Sequence, residues 1–375
     1  MRAFFVGAFD EVDGVNFRGS AAGAKVQTEI IEALSSQLEF LAAFVMPERP
    51  SWPADRLFVK GIAKGFVKFL PILNLGPIKK PWFFCALLFY FFRQRPDILF
   101  QYNSSISGAL FSSLARLFSC KSVLILQDIN APVSFNGRLL LKPREFLGYV
   151  YTKLISLCFD LYIPISRSSI EDLGLPEDRC MVFQGAALKS FIRSANQSFI
   201  PNSRCMAVFA GALEEYNGID ILVKNWPSPE EFECQLNIFG KGSLQSYVES
   251  VCSRNPNIEF HGFRSPVIVD NYILKADFNF CLRYSKGIEQ SYFFPSKFFD
   301  MILSHGLIIC NDFDNIPSDL REYLVFIDED LKSLVDILKK SQKLHPDRFS
   351  SKVEFIKNNY TWFGFFGIFF SKFKL

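Results

Sequence analysis

Short, unbroken apolar runs alternate along this chain with stretches whose apolar residues recur every three or four positions. The first run covers 2–9 (RAFFVGAF). A loop with Gly, Asp and Asn follows over 10–24 (DEVDGVNFRGSAAGA), then a helical pattern over 25–36 and a second apolar run over 38–45 (LEFLAAFV). Strands that are apolar on both faces belong in a parallel sheet, because βαβ crossovers lay helices on both of its sides. The same pattern predicts strands over 95–103, 121–128, 159–166 and 180–185, with a helix over 105–118.

Between 189 and 204 the text turns polar and loses its period (SFIRSANQSFIPNSR), which marks a linker. The alternation then restarts. Strands are predicted over 206–213, 234–239, 258–263, 277–284, 306–312 and 323–328, and helices over 218–226, 244–254 and 294–306. Two such series in tandem predict an α/β protein of two Rossmann-like domains facing across a cleft, 1–190 and 191–357.

Composition narrows the class. A chain of 375 residues suits two domains, and 49% apolar with 21% charged residues excludes wholesale disorder. The 44 Phe residues are an excess that reads first as core. A net charge of +3 gives no reason to expect nucleic acid as a partner. The nine cysteines form no CxxC pair and no zinc-ligand spacing, so reduced buried thiols and no metal are expected. No secretory leader precedes the first strand, so a cytoplasmic protein is expected. The most apolar stretch, 81–92, falls well short of the roughly 20 residues needed to span a bilayer.

The second half carries motifs in a telling order: FAGALEEYNGIDIL (209–222), IFGKGS (238–243), NIEFHGF (257–263), KADFNFCL (275–282) and FPSKFFDMILSHGLIIC (294–310). The first half adds RPDILFQ and the passage FDLYIPISRSSIEDLGLPEDRCMVFQGA. This order resembles the GT-B nucleotide-sugar glycosyltransferases, and in particular glycosyltransferase family 4. The resemblance implies transfer of a sugar from a nucleotide-diphosphate donor to a glycan or polyprenyl-linked acceptor, with retention and without a metal or other cofactor. It also implies that the donor sits in the second domain, and that the tail 358–375 packs back on the first. The chain departs from the family at Ala212 and Asn217, where members carry Arg and Lys, and at Tyr292 and Asp300, where they carry a pair of glutamates.

The implied donor-binding residues are Gly211, Gly240, Lys241, Arg283, Ser296, Lys297 and Asp300. Pro295 and Ser296 read as a helix start, where an anion docks on free N–H groups, and Lys297 adds a charge beside it. Asp300 falls near the same helix face and could accept from ribose hydroxyls. Arg283 ends a strand at its carboxyl end, where open parallel sheets bind ligands, and its fork suits phosphate. Gly211 and the 240–242 loop let backbone approach the diphosphate. Glu289 and Asp300 are the candidate catalytic acids. Arg18, Gly19, Ser20 and Asp128 are candidate contacts on the first domain. The three histidines lack partner spacing and read as structural, which weighs against a sugar-nucleotide epimerase of the same architecture. The departures at 212, 217 and 292 leave open a binding protein without turnover.

From Arg56 to Arg95 there are eight basic residues and no acidic one. Arg56, Lys60, Lys64 and Lys68 recur every four positions, a stripe on a helix, and an aromatic stretch follows. Such a segment suits an anionic membrane surface. It points to peripheral contact with the inner face of the cell membrane through 56–95, and with the family to bacterial surface-polysaccharide assembly.

Overall fold

The computed structural model describes residues 1–9, 21–103, 105–127, 143–187, 192, 204–284, 294–295, 297–313, 316–341 and 348–375. The chain divides into two compact units, Met1–Gln184 with Trp362–Leu375, and Gly185–Thr361.

Unit 1 begins β1 (Arg2–Ala8), α1 (Ala21–Gln37) and β2 (Phe40–Met46). Four short strands follow, β3 (Phe58–Val59), β4 (Ile62–Lys64), β5 (Val67–Phe69) and β6 (Ile72–Leu73). Next come α2 (Lys79–Gln94), β7 (Ile98–Tyr102), α3 (Ile106–Leu117), β8 (Lys121–Leu126), α4 (Pro143–Ser156), β9 (Leu161–Pro164) and α5 (Arg167–Leu173). The sheet runs β4-β5-β2-β1-β7-β8-β9 and is parallel except where β4 meets β5. Its strands β2, β1, β7, β8 and β9 bury both faces, as their unbroken apolar text requires. Phe4 and Phe44 are fully buried with ring centroids 4.7 Å apart; burying each contributes about 1.5–3 kcal/mol.

Two readings of the sequence are corrected here. The segment 56–70 is not a helix: its lysines are spaced for one, but Gly65 at φ +59 turns the chain, and Val67–Phe69 pair in register with Ala43–Val45 of β2. Tertiary pairing overrides the four-residue period. Residues 180–185 are not a strand, although the N–H groups of Met181 and Phe183 donate to Tyr162 and Pro164 at 3.0 and 2.9 Å beside β9; a single bridge, Tyr162 to Cys180, forms.

Unit 2 contains β10 (Cys205–Ala210), α6 (Ile219–Lys224), β11 (Cys234–Phe239), α7 (Gln245–Cys252), β12 (Ile258–Gly262), α8 (Pro266–Lys275) and β13 (Phe278–Phe280). After them come α9 (Lys297–Ile302), β14 (Leu307–Cys310), β15 (Leu324–Phe326), α10 (Leu334–Ser341) and α11 (Arg348–Asn359). Its sheet is wholly parallel, in the order β12-β11-β10-β13-β14-β15. Alternate residues feed two cores: Val208 and Ala210 join one, Ala207 and Phe209 the other.

The last helix, α12 (Trp362–Phe373), lies in unit 1. It buries Trp362, Phe365, Phe366 and Phe369. Phe365 stacks on Phe183 at 4.2 Å, Phe366 meets Phe100 at 5.7 Å, and Lys372 Nζ donates to the Cys180 carbonyl at 2.9 Å. All nine cysteines are free thiols. Among the described residues no helix is long and apolar enough to cross a membrane.

Candidate functional site

In unit 2 the strand order reverses at β10. The chain moves outward through β11 and β12 on one side, then returns to build β13, β14 and β15 on the other. Connections leaving in opposite directions open a crevice beyond the carboxyl ends of the two central strands, and ligands of such sheets bind there. A cavity of about 250 Å³ occupies this position, lined by Gly211, Ala212, Asn217, Arg283, Pro295 and Lys297 among others.

One wall follows β10. Gly211 donates its N–H to Phe239 at 3.0 Å, and Leu213 and Leu244 lace 213 to 241 and 244 to 213, each at 3.0 Å. Ser243 donates backbone and side-chain hydrogen bonds to Glu214, which hold that carboxyl below its ordinary pKa. Gly240 stands at φ +151, and a Cβ there would come within 1.9 Å of the Gly211 carbonyl oxygen. Gly240 therefore permits the close packing of the two loops. Lys241 is exposed, with Nζ 5.0 Å over the Phe263 ring; neither Gly240 nor Lys241 lines the cavity.

The opposite wall follows β13 and centres on Arg283. Its backbone N–H donates to Asn311 Oδ1 at 2.8 Å, and Asn311 Nδ2 donates back to its carbonyl. Its guanidinium lies 4.8 Å over the Tyr216 ring and donates to Asn217 Oδ1 at 3.0 Å. Asn217 in turn donates to the Ala212 carbonyl at 2.9 Å. Burial lowers the Arg283 pKa, yet a guanidinium stays protonated in proteins. Among the described residues no carboxylate pairs with it.

Lys297 opens α9, whose Phe298, Phe299, Met301 and Ile302 are buried and fix the helix. Its Nζ is 3.4 Å from Asp270 and 3.4 Å from Asp300. Asp300 is buried and outside the cavity lining. The cavity thus holds two cations in different states, one shared between carboxylates and one held by a neutral amide and a ring. Cys281 also lines it, and burial pushes its thiol up to about 12, which disfavours the thiolate at neutral pH.

The structure therefore brings Gly211, Arg283 and Lys297 to one cavity. Arg18, Gly19, Ser20, Asp128, Glu289, Tyr292 and Ser296 lie outside the described residues. His261 is elsewhere, stacked on Phe239 at 4.5 Å with Nε2 2.9 Å from Asn237 Oδ1; burial lowers its pKa. Tyr216 and Asn311, which hold Arg283 with Asn217, and Asp270, which meets Lys297, have no local signature in the sequence.

The sequence matches no protein-family model and no curated protein. Solved structures do match. A glycosyltransferase from Rickettsia africae aligns over 100% of this chain and 99% of its own, with a TM-score of 0.64 and 12% identity. A UDP-forming α,α-trehalose-phosphate synthase from Burkholderia xenovorans aligns over 100% and 99%, at 0.62 and 10%. The catalytic domain of starch synthase IV from Arabidopsis thaliana, bound to ADP and acarbose, aligns over 100% and 98%, at 0.61 and 11%. At such identities the likeness is one of fold: the chain has the GT-B fold.

Proposed function

We propose that this protein is a glycosyltransferase that takes its sugar from a nucleotide-diphosphate donor, with the diphosphate seated in the unit 2 cavity. The observation that carries this reading is Arg283, a half-buried guanidinium at the reversal point of a parallel sheet, with no described carboxylate to neutralise it. Desolvating a charge without a partner is costly unless an anion arrives to meet it, and the planar fork suits phosphate oxygens.

In the reaction the anomeric C–O bond to the diphosphate breaks, the acceptor oxygen bonds to that carbon, and the acceptor hydroxyl's proton ends on the departing diphosphate. Charge grows on the leaving diphosphate as its bond breaks. Arg283 and Lys297 stabilise that charge without a metal, and they act most strongly in a site that excludes water. The buried Asp300 holds Lys297 in place rather than reaching the cavity. Glu289 is assigned to the donor sugar. Arg18, Gly19, Ser20 and Asp128 are assigned to the acceptor side.

The reading extends to retention of configuration, to a glycan or lipid-linked acceptor in bacterial surface-polysaccharide assembly, and to peripheral contact with the inner membrane face through 56–95. The fold of unit 2 and the full-length likeness to glycosyltransferase structures support the donor reading, and the basic, acid-free stretch 56–95 supports the membrane contact.

A thermal-shift screen against UDP-, GDP-, dTDP- and CMP-sugars tests the donor site. One diphosphate sugar should raise the melting temperature by mass action on the folded state, and CMP-sugar should not. No shift with any diphosphate sugar overturns the reading. Ala212 and Asn217, which bring no cation to the cavity, favour a second reading, a nucleotide-sugar-binding protein without turnover. Free nucleoside diphosphate that accumulates only when acceptor is added separates the enzyme from that binder.

A further inference from the structure

The four short strands of unit 1 and the loop before them make a flap: β4 and β5 edge the main sheet, and β3 and β6 form a sheet of their own. β3 pairs with β6 and β4 with β5, both antiparallel. The inner residues Phe69, Leu70 and Ile72 are buried. Asn74 fastens the base: its side chain donates to the Pro50 and Arg56 carbonyls at 2.7 and 3.1 Å, and its N–H to Leu57 at 2.7 Å. The flap therefore has its share of core already. Yet Trp52, Leu57, Phe58, Ile62 and Phe66 remain 43–55% exposed. Arg56 and Lys60 lie exposed among them; the one acid of 52–66, Asp55, sits 3.6 Å from the Arg49 guanidinium, and no acid occurs from 56 to 95.

Five large apolar side chains exposed over 52–66 call for a partner, and the charge pattern selects among partners. A second copy bound through the same face would set Arg56 and Lys60 against their own equivalents, since a two-fold contact is self-complementary. An anionic lipid surface supplies the opposite charge, and its interface accepts Trp and Phe rings with basic neighbours. We infer that the flap over 52–66 is the membrane-contacting element of this protein, docking on an anionic bilayer with its Trp, Phe and Ile side chains entering the interface. Lys68 takes no part: its Nζ turns inward over the Tyr90 ring at 5.2 Å. Among the described side chains the contact thus carries Arg56 and Lys60 on extended backbone, not a helical stripe.

This inference refines the membrane contact of the proposed function. Its test contains no donor, so its failure leaves the unit 2 site untouched. The full chain is floated with phosphatidylcholine vesicles, with and without about one third phosphatidylglycerol. Binding should need the anionic lipid, weaken with salt, and fall by about fivefold on Arg56→Gln or Lys60→Gln. The triple variant Leu57→Ser, Phe58→Ser, Ile62→Ser should lose more than about tenfold while keeping its circular dichroism.

A second readout needs no flap disruption. Trp226 and Trp362 are buried, whereas Trp52 and Trp82 are exposed. Lipids brominated on the acyl chain should quench Trp82→Phe as they quench the natural chain, and should hardly quench Trp52→Phe. Quenching that survives in Trp52→Phe and vanishes in Trp82→Phe moves the contact to α2 and overturns the proposal. So does equal binding to neutral vesicles, or no flotation from a chain that self-associates in sedimentation through the residues of the triple variant.

Discussion

Arg283 and Asn217 sit 66 residues apart in the chain and 3.0 Å apart in space, with the guanidinium donating to the amide oxygen. An amide orients a cation without cancelling its charge, so Arg283 keeps N–H groups for an incoming anion.

Replacing Arg283 with Gln should weaken nucleoside diphosphate binding by about 100-fold, the worth of a charge-assisted bidentate contact. Arg283→Lys should recover only part of this, because a point charge lacks the fork. Asn217→Asp should weaken binding as well by giving Arg283 a carboxylate. Isothermal titration with the diphosphate that wins the thermal screen measures all three. Unchanged affinity in Arg283→Gln would remove the diphosphate from this wall.

Gly240→Ala should destabilise unit 2 by about 2–4 kcal/mol, since a Cβ there meets backbone and the φ of +151 is hostile to side chains. Gly367→Ala in α12, with nothing within 4 Å of the new methyl, should instead gain about 0.5–1 kcal/mol of helix propensity. Denaturant melts of the two variants should move in opposite directions.

Lys352 is buried, donates to the Ser304 carbonyl at 2.9 Å, and has its pKa pushed down to about 8 by desolvation. The unfolded chain keeps this lysine protonated to about 10.4. Between these values the unfolded state holds the extra proton, so the contribution of this group to stability rises with pH across that window and is flat below it. Lys352→Met should remove that rise, on the order of a few kcal/mol, when unfolding of the two proteins is compared from pH 7 to pH 10.

Phe366 is fully buried in α12 against Phe100 and Trp362. Phe366→Ala should cost about 3–5 kcal/mol, read as a drop in the melting temperature of unit 1. A drop of less than about 1 kcal/mol would mean that α12 does not hold unit 1 together.

The α/β fold was legible because buried parallel strands write themselves as continuous apolar text; runs such as 2–9 and 234–239 became β1 and β11. Sheet order was not legible, since nothing local says that β13 returns to β10. The 56–70 segment misled because lysine spacing carries no knowledge of β2, whose edge recruits Val67–Phe69. In the site, Gly211, Arg283 and Lys297 stood out as residues at the ends of apolar runs or helix starts. Asp270 and Asn311 did not, because each matters only through a partner more than 25 residues away. Asn217 was visible only as a missing lysine, and its hold on Arg283 is a fact of three dimensions.

The reversal of strand order in unit 2 means that the cavity has two banks drawn from separate stretches of chain, one around 211–217 and the other at Arg283 and Lys297. A cation lost from the first bank can be restored from the second without rerouting any backbone. Positions 212 and 217 carry none, and the far bank carries Arg283 and Lys297; a fold of this build can trade the side from which positive charge reaches the crevice while the crevice stays in place.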